Sequence, residues 1–219
     1  MMGKTHKVGG TLAAVVASRF FYSEDLITTG ICIGSLIIGS VLGSLLPDID
    51  KKESTIGRIL WFISWPIYIL RVIMKLLAKI LPGILKKPFK EMDEDLGHRG
   101  VAHSLITWLV LSISFWLGQA FILKKLIVIS NMLPKDLQID PLIIQNGIFA
   151  FLLGVSIGML SHILLDILTN DGVALLSPFI DTKFGILSIK TRSFTETVIR
   201  NLMVIVTVVI VYKEFIFFN

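Results

Sequence analysis

The sequence has few charged residues and a single cysteine, and each shortage excludes a class of protein. Of the 219 residues, 17% are charged and 54% are hydrophobic, whereas soluble domains average about 25% and 45–50%. Because disordered chains have low hydrophobicity, this composition excludes intrinsic disorder. The lone Cys32 excludes a disulfide scaffold. The composition therefore indicates a membrane protein.

Four apolar runs are long enough to cross a bilayer as helices, which requires about 20 residues. They are residues 27–46, 101–123, 142–168 and 198–218. A fifth run, residues 11–22, is short and contains Arg19, so we expect a half-span or a tilted helix there. We predict an all-α fold, a polytopic membrane helix bundle of about five spanning helices that forms one membrane-embedded domain over residues 1–219.

One further apolar run, residues 56–85, differs from the others because basic residues interrupt it. Arg71, Lys75 and Lys79 recur every four residues, which places them on one face of a helix. We therefore expect an interfacial or re-entrant basic helix within residues 54–90, lying at the membrane surface.

The distribution of positive charge predicts the orientation. If residues 11–22 cross the membrane and residues 56–85 do not, 16 of the 21 Lys and Arg lie on one side, counting Arg200 at the edge of the last run. Four lie on the opposite side, and Arg19 is undecided. The positive-inside rule makes the basic side cytoplasmic, in the inner (plasma) membrane. The net charge of +5 then reflects topology and attraction to anionic membrane lipid, and it does not indicate nucleic-acid binding.

The four histidines, His6, His98, His103 and His162, lie in or beside polar motifs at the basic-side ends of the apolar runs. The clearest motif is His162 with Asp166, because residues four apart share one face of a helix. An ionisable residue inside an apolar run is costly and usually functional. The structural alternative is a buried His–Asp pair that only holds helices together.

Two carboxylates, Asp48 and Asp50, follow Pro47 at the end of the first long apolar run. Acidic residues are unfavourable at a helix C-terminus, and a bound cation would offset that effect; the alternative is a solvated helix end. Because the fixed φ of Pro47 would help to aim Asp48, we expect Asp48 to contribute more than Asp50.

Together these side chains form a set of nitrogen and oxygen ligands. We predict five metal ligands: Asp48, His98, His103, His162 and Asp166. Asp50 and His6 are expected to act as further ligands or proton-transfer groups, and Arg99 to bind an anionic group through its guanidinium fork. Ligation without thiolate suits one or two divalent transition metal ions, zinc first, with manganese or iron as alternatives.

The motifs also resemble a known family. His6 is followed by Gly-Ser-Leu-Leu-Pro-Asp-Ile-Asp at residues 43–50, His-Arg-Gly at 98–100, His103-Ser104, Ser161-His162 with Asp166, and Asn-Asp-Gly-Val at 170–173. This order resembles the YdjM-like family of bacterial inner-membrane proteins, described as membrane-bound metal-dependent hydrolases and as LexA-binding. Ala102 departs from the family pattern, which has Thr there. The His-x-x-x-Asp pair is also similar to pairs in zinc-dependent phospholipase C.

These observations favour a membrane-bound metal-dependent hydrolase that acts on a phosphoester, a lipid among the candidates, at the cytoplasmic membrane surface. Its expected partners are membrane lipid, an anionic phosphate-containing substrate and a cytosolic protein. The alternatives are a metal-ion transporter and a non-catalytic membrane anchor that binds a cytosolic regulator. Ligands clustered at one surface count against a transporter, and an anchor would leave the clustered histidines unexplained.

Overall fold

The fold is a bundle of α-helices. A computed structural model describes residues 1–22, 25–48, 101–176 and 182–218. Within these ranges the helices are α1 (Gly3–Ala17), α2 (Leu26–Gly43), α3 (Leu105–Asn131), α4 (Pro141–Ile167) and α5 (Phe194–Phe218). The described ranges contain no β-strand, so the all-α prediction is confirmed. Four of these helices, α2 to α5, are long and apolar enough to cross a membrane, close to the predicted five. The predicted interfacial segment, residues 54–90, lies outside the described residues.

Side-chain caps determine where the membrane helices begin. The Asp25 carboxylate accepts the backbone N–H of Thr28 at 2.9 Å, the Ser104 hydroxyl accepts that of Thr107 at 3.1 Å, and Asp140 accepts that of Leu142 at 2.8 Å. Oxygen-bearing residues at this position satisfy N–H groups that have no partner within the helix. Because Ser104 caps α3, the helix begins after residue 101, and His103 lies in a 3-10 turn, Val101–His103.

Helix α1 begins earlier than the apolar run at residues 11–22 indicated, and a 3-10 turn, Ser18–Phe21, follows it. The Phe21 ring lies 6.1 Å from that of Phe149 near the start of α4, whereas His6 stacks on His162 near the end of α4. Phe149 and His162 are thirteen residues apart on α4, which corresponds to about 20 Å along the helix. Helix α1 and its 3-10 turn therefore extend along much of the bundle.

Glycines bring α2 and α4 into backbone contact. Gly39 and Gly43 on α2 face α4, and Gly154 and Gly158 on α4 face α2. A Cβ added at any of the four would lie 2.0–2.3 Å from a backbone oxygen of the other helix. Each pair is spaced as Gly-x-x-x-Gly, the small-residue pattern that allows membrane helices to approach closely. This contact holds the C-terminal part of α2 against the middle of α4.

Helix α4 is the centre of the bundle: α1, α2 and α3 pack against it, whereas α5 packs mainly against α1. On α3, Trp108 donates its indole N–H to the Ser156 carbonyl at 2.9 Å, and the Ser112 and Ser156 hydroxyls lie 2.7 Å apart. The outer faces of α3 and α5 expose large apolar side chains, among them Trp116 and Val208. In a bilayer these faces would contact lipid, whereas α4 carries the buried His162 and Asp166.

The segment after α4 folds back over the C-terminal end of that helix. Ile186 donates its backbone N–H to the Ile167 carbonyl at 2.9 Å, and Leu105 at the start of α3 donates to the Leu175 carbonyl at 3.0 Å. Gly172 has φ +63°, which an L side chain rarely adopts. One end of the bundle is therefore covered by chain that follows α4.

We predict that this end of the bundle faces the cytoplasm, because the sequence analysis expects 16 of the 21 Lys and Arg on this side of the membrane. A cysteine in place of Lys183, in the exposed segment after α4, should react with a membrane-impermeant maleimide only after the cells are permeabilised. A cysteine in place of Asp136, between α3 and α4, should react in intact cells. The native Cys32 is buried, so the wild-type chain is the control for background. Labelling of both positions from outside would contradict this orientation.

Candidate metal centre

Five ionisable side chains from four parts of the chain converge at the covered end of the bundle. They are His6 on α1, Asp48 in the 3-10 turn after α2, His103 in the turn before α3, and His162 and Asp166 on α4. The three histidines and Asp166 are 0–1% exposed, whereas the Asp48 side chain is 13% exposed. Among the described residues, the cluster is therefore most accessible at Asp48.

Asp166 lies at the centre of the cluster and faces all three imidazoles. Its Oδ1 is 3.3 Å from His6 Nε2, and its Oδ2 is 3.4 Å from His162 Nε2 and 3.7 Å from His103 Nε2. Asp48 Oδ1 lies 3.5 Å from His103 Nε2. These separations are longer than typical hydrogen bonds of 2.7–3.2 Å. They are close to about 3.3 Å, the edge of a tetrahedron of ligands placed about 2.0–2.1 Å from a central zinc ion.

The imidazole nitrogens that face the carboxylates are buried without hydrogen-bond partners. This holds for Nε2 of His103 and Nε2 of His162. A buried polar atom left unpaired costs about 1–3 kcal/mol. On its other side, His162 donates Nδ1–H to the Ser44 carbonyl oxygen at 2.6 Å, which leaves the lone pair on Nε2 directed into the cluster. A backbone carbonyl that fixes the tautomer in this way is common behind metal-binding histidines.

The three rings pack tightly against one another. The His6 and His162 rings are stacked with their centroids 3.6 Å apart and their planes 10° apart. The His103 ring meets His162 edge-on at 5.1 Å. Burial lowers the pKa of His103, which favours its neutral form. Neutral imidazole is the form that binds metal ions.

The donor atoms form two overlapping groups, each compact enough for one ion. The first consists of His6, His162 and Asp166, and the second of Asp48, His103 and His162; within each group the ligand atoms lie within 4.8 Å of one another. Because Ser44 occupies His162 Nδ1, His162 can offer only Nε2, and that atom belongs to one ion. A second ion would therefore have to share Asp166, whose Oδ1 faces His6 and whose Oδ2 faces His103 and His162.

Comparison with known proteins assigns the family. The family model described as YdjM inner membrane protein matches residues 1–217. The chain belongs to the YdjM family. The resemblance drawn from the sequence motifs is therefore confirmed, and the chain is a membrane protein of this family.

Two relatives of this YdjM-family chain differ in how much of their own length the chain covers. "Uncharacterized protein YvsG" of Bacillus subtilis (strain 168) is 28% identical over 91% of this chain and 87% of its own length. "Inner membrane protein YdjM" of Escherichia coli (strain K12) is 29% identical over 77% of this chain, which spans 64% of the E. coli protein. No solved structure matches the chain significantly.

The structure brings five of the eight predicted site residues of this YdjM-family chain together: His6, Asp48, His103, His162 and Asp166. The other three, Asp50, His98 and Arg99, lie outside the described residues, and their roles stay predictions. His6, expected as a further ligand or proton-transfer group, lies as near to Asp166 as any ligand does.

Three further groups hold this cluster, and none of them was predicted from the sequence. The Ser44 carbonyl orients His162, the amino nitrogen of Met1 lies 2.8 Å from Asp166 Oδ1, and Glu196 binds the start of α1. A backbone carbonyl leaves no mark in a sequence. Glu196 follows Ser193 by three residues, so it matches an ordinary capping box at the start of α5, and nothing in that pattern points to α1.

Proposed function

We propose that this protein is a membrane-bound metal-dependent hydrolase that acts on a phosphoester at the cytoplasmic membrane surface. The observation that carries the proposal is the pair of buried, unpartnered Nε2 atoms of His103 and His162, facing two carboxylates at separations typical of ligands around one ion. A divalent ion would give both nitrogens a partner.

The donor chemistry supports a transition metal. Asp48, His103, His162 and Asp166 would hold one ion, with His6 and, outside the described residues, His98 available for a second. Imidazole and carboxylate ligands without sulfur suit zinc, with manganese or iron as alternatives. When bound, such an ion polarises a phosphoryl oxygen and lowers the pKa of a coordinated water to about 7.

The chain's own residues would bind the substrate, exclude water and move protons. Asp48 lies at the most accessible part of the cluster, so we place the approach of the substrate there. Arg99 would bind the phosphoryl oxygens, since its fork forms paired hydrogen bonds with an anion. Asp50 would transfer protons, and so would His6 where it does not bind a second ion. Lys4 and Lys7, on α1 beside His6, would attract anionic headgroups toward this end of the bundle.

Burial supports a second candidate function. Structural metal sites are closed, whereas catalytic sites keep an open position, and three of the four ligands of the proposed single-ion site are 0–1% exposed. A closed site would fit a non-catalytic membrane anchor in which the metal stabilises a surface for a cytosolic regulator. A transporter has less support, because the ligands lie at one end of α4, and transporter sites lie near the bilayer midplane.

A matched pair of carboxylate variants tests the catalytic proposal. We expect Asp48→Asn to lose more than about 100-fold of the phosphoesterase activity, since loss of groups behind metal ligands alone costs about 10–100-fold. Asp50→Asn should lose less activity than Asp48→Asn, because Asp50 is not expected to bind the ion directly. Both variants and the wild type are assayed with added Zn²⁺ or Mn²⁺ on phospholipid vesicles and on soluble phosphoesters.

Comparing activity on phospholipid vesicles with activity on soluble phosphoesters shows whether the substrate is a lipid or a free phosphoester. Metal-loaded wild type that turns over none of these phosphoesters would contradict the hydrolase proposal and favour the anchor. A larger loss in Asp50→Asn than in Asp48→Asn would contradict the assignment of Asp48 as a ligand.

A further inference from the structure

Glu196 is a buried carboxylate outside the metal-binding cluster. It lies in the first turn of α5 and is 0% exposed. A buried charge is costly unless hydrogen bonds satisfy it, and α5 otherwise exposes apolar side chains along much of its length. The contacts of Glu196 therefore indicate what its burial achieves.

The Glu196 carboxylate binds the start of α1. Its Oε1 accepts the Met2 backbone N–H at 2.5 Å and the Thr5 hydroxyl at 2.8 Å. Its Oε2 accepts the Arg192 backbone N–H at 2.7 Å. In an ordinary capping box the carboxylate would accept the N–H of the capping Ser193, but that N–H donates to the Lys190 carbonyl. Glu196 thus joins α1 to the segment before α5.

Among the clustered histidines, His6 is the one that lies on the helix that Glu196 binds. Thr5 directly precedes His6, and the His6 Nδ1 has no hydrogen-bond partner among the described residues. His162, in contrast, is oriented by its hydrogen bond to the Ser44 carbonyl. The backbone of α1 and the stacking on His162 therefore determine where the His6 ring lies.

We propose that Glu196 is a positioning residue for His6. By binding Met2 and Thr5, it fixes the first turn of α1 so that His6 Nε2 lies against Asp166 Oδ1 at 3.3 Å. The placement of His6 is a property of the protein without metal. Its effect on metal binding rests on the proposed function.

The test compares Glu196→Gln and Glu196→Ala with Glu214→Gln. Glu214 is at the far end of the same helix, where it pairs with Arg19, so it controls for the loss of a carboxylate from α5. A glutamine keeps one acceptor oxygen for three donors and leaves at least one of them unpaired. Alanine removes every acceptor and should have the larger effect.

The first measurement uses chelator-treated protein and needs no metal. Diethyl pyrocarbonate acylates accessible neutral histidines, and mass spectrometry locates the modified residues. We expect the Glu196 variants to raise the labelling rate of His6 by about tenfold, because loss of buried hydrogen bonds favours local opening. The rates of His103 and His162 should stay near those of the wild type, and Glu214→Gln should change none of the three.

The second measurement is the affinity for Zn²⁺, determined by competition with a chromogenic chelator. We expect the Glu196 variants to bind about 10–100-fold more weakly, as found when groups that orient metal ligands are lost. A His6 labelling rate in both Glu196 variants that equals the wild-type rate would overturn the inference. Equally fast labelling of all three histidines would overturn it too, because it would mean a general loss of fold. Selective labelling of His6 in a protein whose wild type binds no Zn²⁺ would support the positioning role and refute the metal site.

Discussion

Asp166→Asn is expected to purify with less than about a tenth of the metal bound to the wild type, because this carboxylate faces Nε2 of all three clustered histidines. Asparagine has nearly the same shape, so the helix packing around residue 166 should remain. Its amide nitrogen, however, is a hydrogen-bond donor. It would donate to an imidazole nitrogen and occupy the lone pair that the ion needs.

Elemental analysis of the purified proteins measures this effect. Asp140→Asn is the control, since Asp140 caps the opposite end of α4 and asparagine caps helices as well as aspartate does. His162→Ala should lose metal as Asp166→Asn does, and activity on any phosphoester should fall with the metal content. Stoichiometric metal in Asp166→Asn would refute the ligand assignment.

Gly43→Val is expected to prevent the bundle from forming its native packing. A Cβ at residue 43 would lie 2.1 Å from the Val155 carbonyl oxygen, so α2 must move away from α4. Backbone atoms cannot rotate aside, and overpacking of this kind costs about 3 kcal/mol or more. Because the moved helix carries Asp48 and the Ser44 carbonyl at its end, metal binding should be lost together with stability.

Thermal unfolding in detergent, together with the yield of monodisperse protein, measures this prediction. Gly34→Val is the matched control on the same helix, because a Cβ at residue 34 would meet no atom within 4 Å. Similar unfolding temperatures for the two variants would contradict the close α2–α4 contact.

The sequence indicates much of the fold because a helix that crosses a bilayer needs about 20 consecutive apolar residues, which are visible in a sequence. Apolar runs long enough to span predicted both ends of α2, α4 and α5 and the start of α3 to within four residues, but α3 ends eight residues beyond its run. The spacing of His162 and Asp166 predicted a shared helix face. The bounds differ where local hydrogen bonds decide them. The Ser104 cap excludes His103 from α3, and α1 begins eight residues before its apolar run because contacts with α5 at Glu196 hold its polar first turn.

The arrangement of the candidate site could be predicted only in part. Hydropathy and charge placed the histidines at one end of the bundle, but not their ring stacking or the Ser44 hydrogen bond, which depend on how closely α2 approaches α4. The Gly-x-x-x-Gly pairs that set this approach are visible at residues 39–43 and 154–158. Small residues at this spacing predict close helix contacts, so the approach of α2 to α4 had a signal in the sequence.

X-ray absorption spectroscopy of the metal in the purified wild-type protein tests the central claim most directly. The proposed site predicts a first shell of nitrogen and oxygen at about 2.0–2.1 Å, with scattering from two or three imidazole rings. His162→Ala should remove one imidazole or all of the metal. A sulfur ligand at about 2.3 Å, which only Cys32 or a methionine could supply, or a protein that binds no metal, would contradict the account.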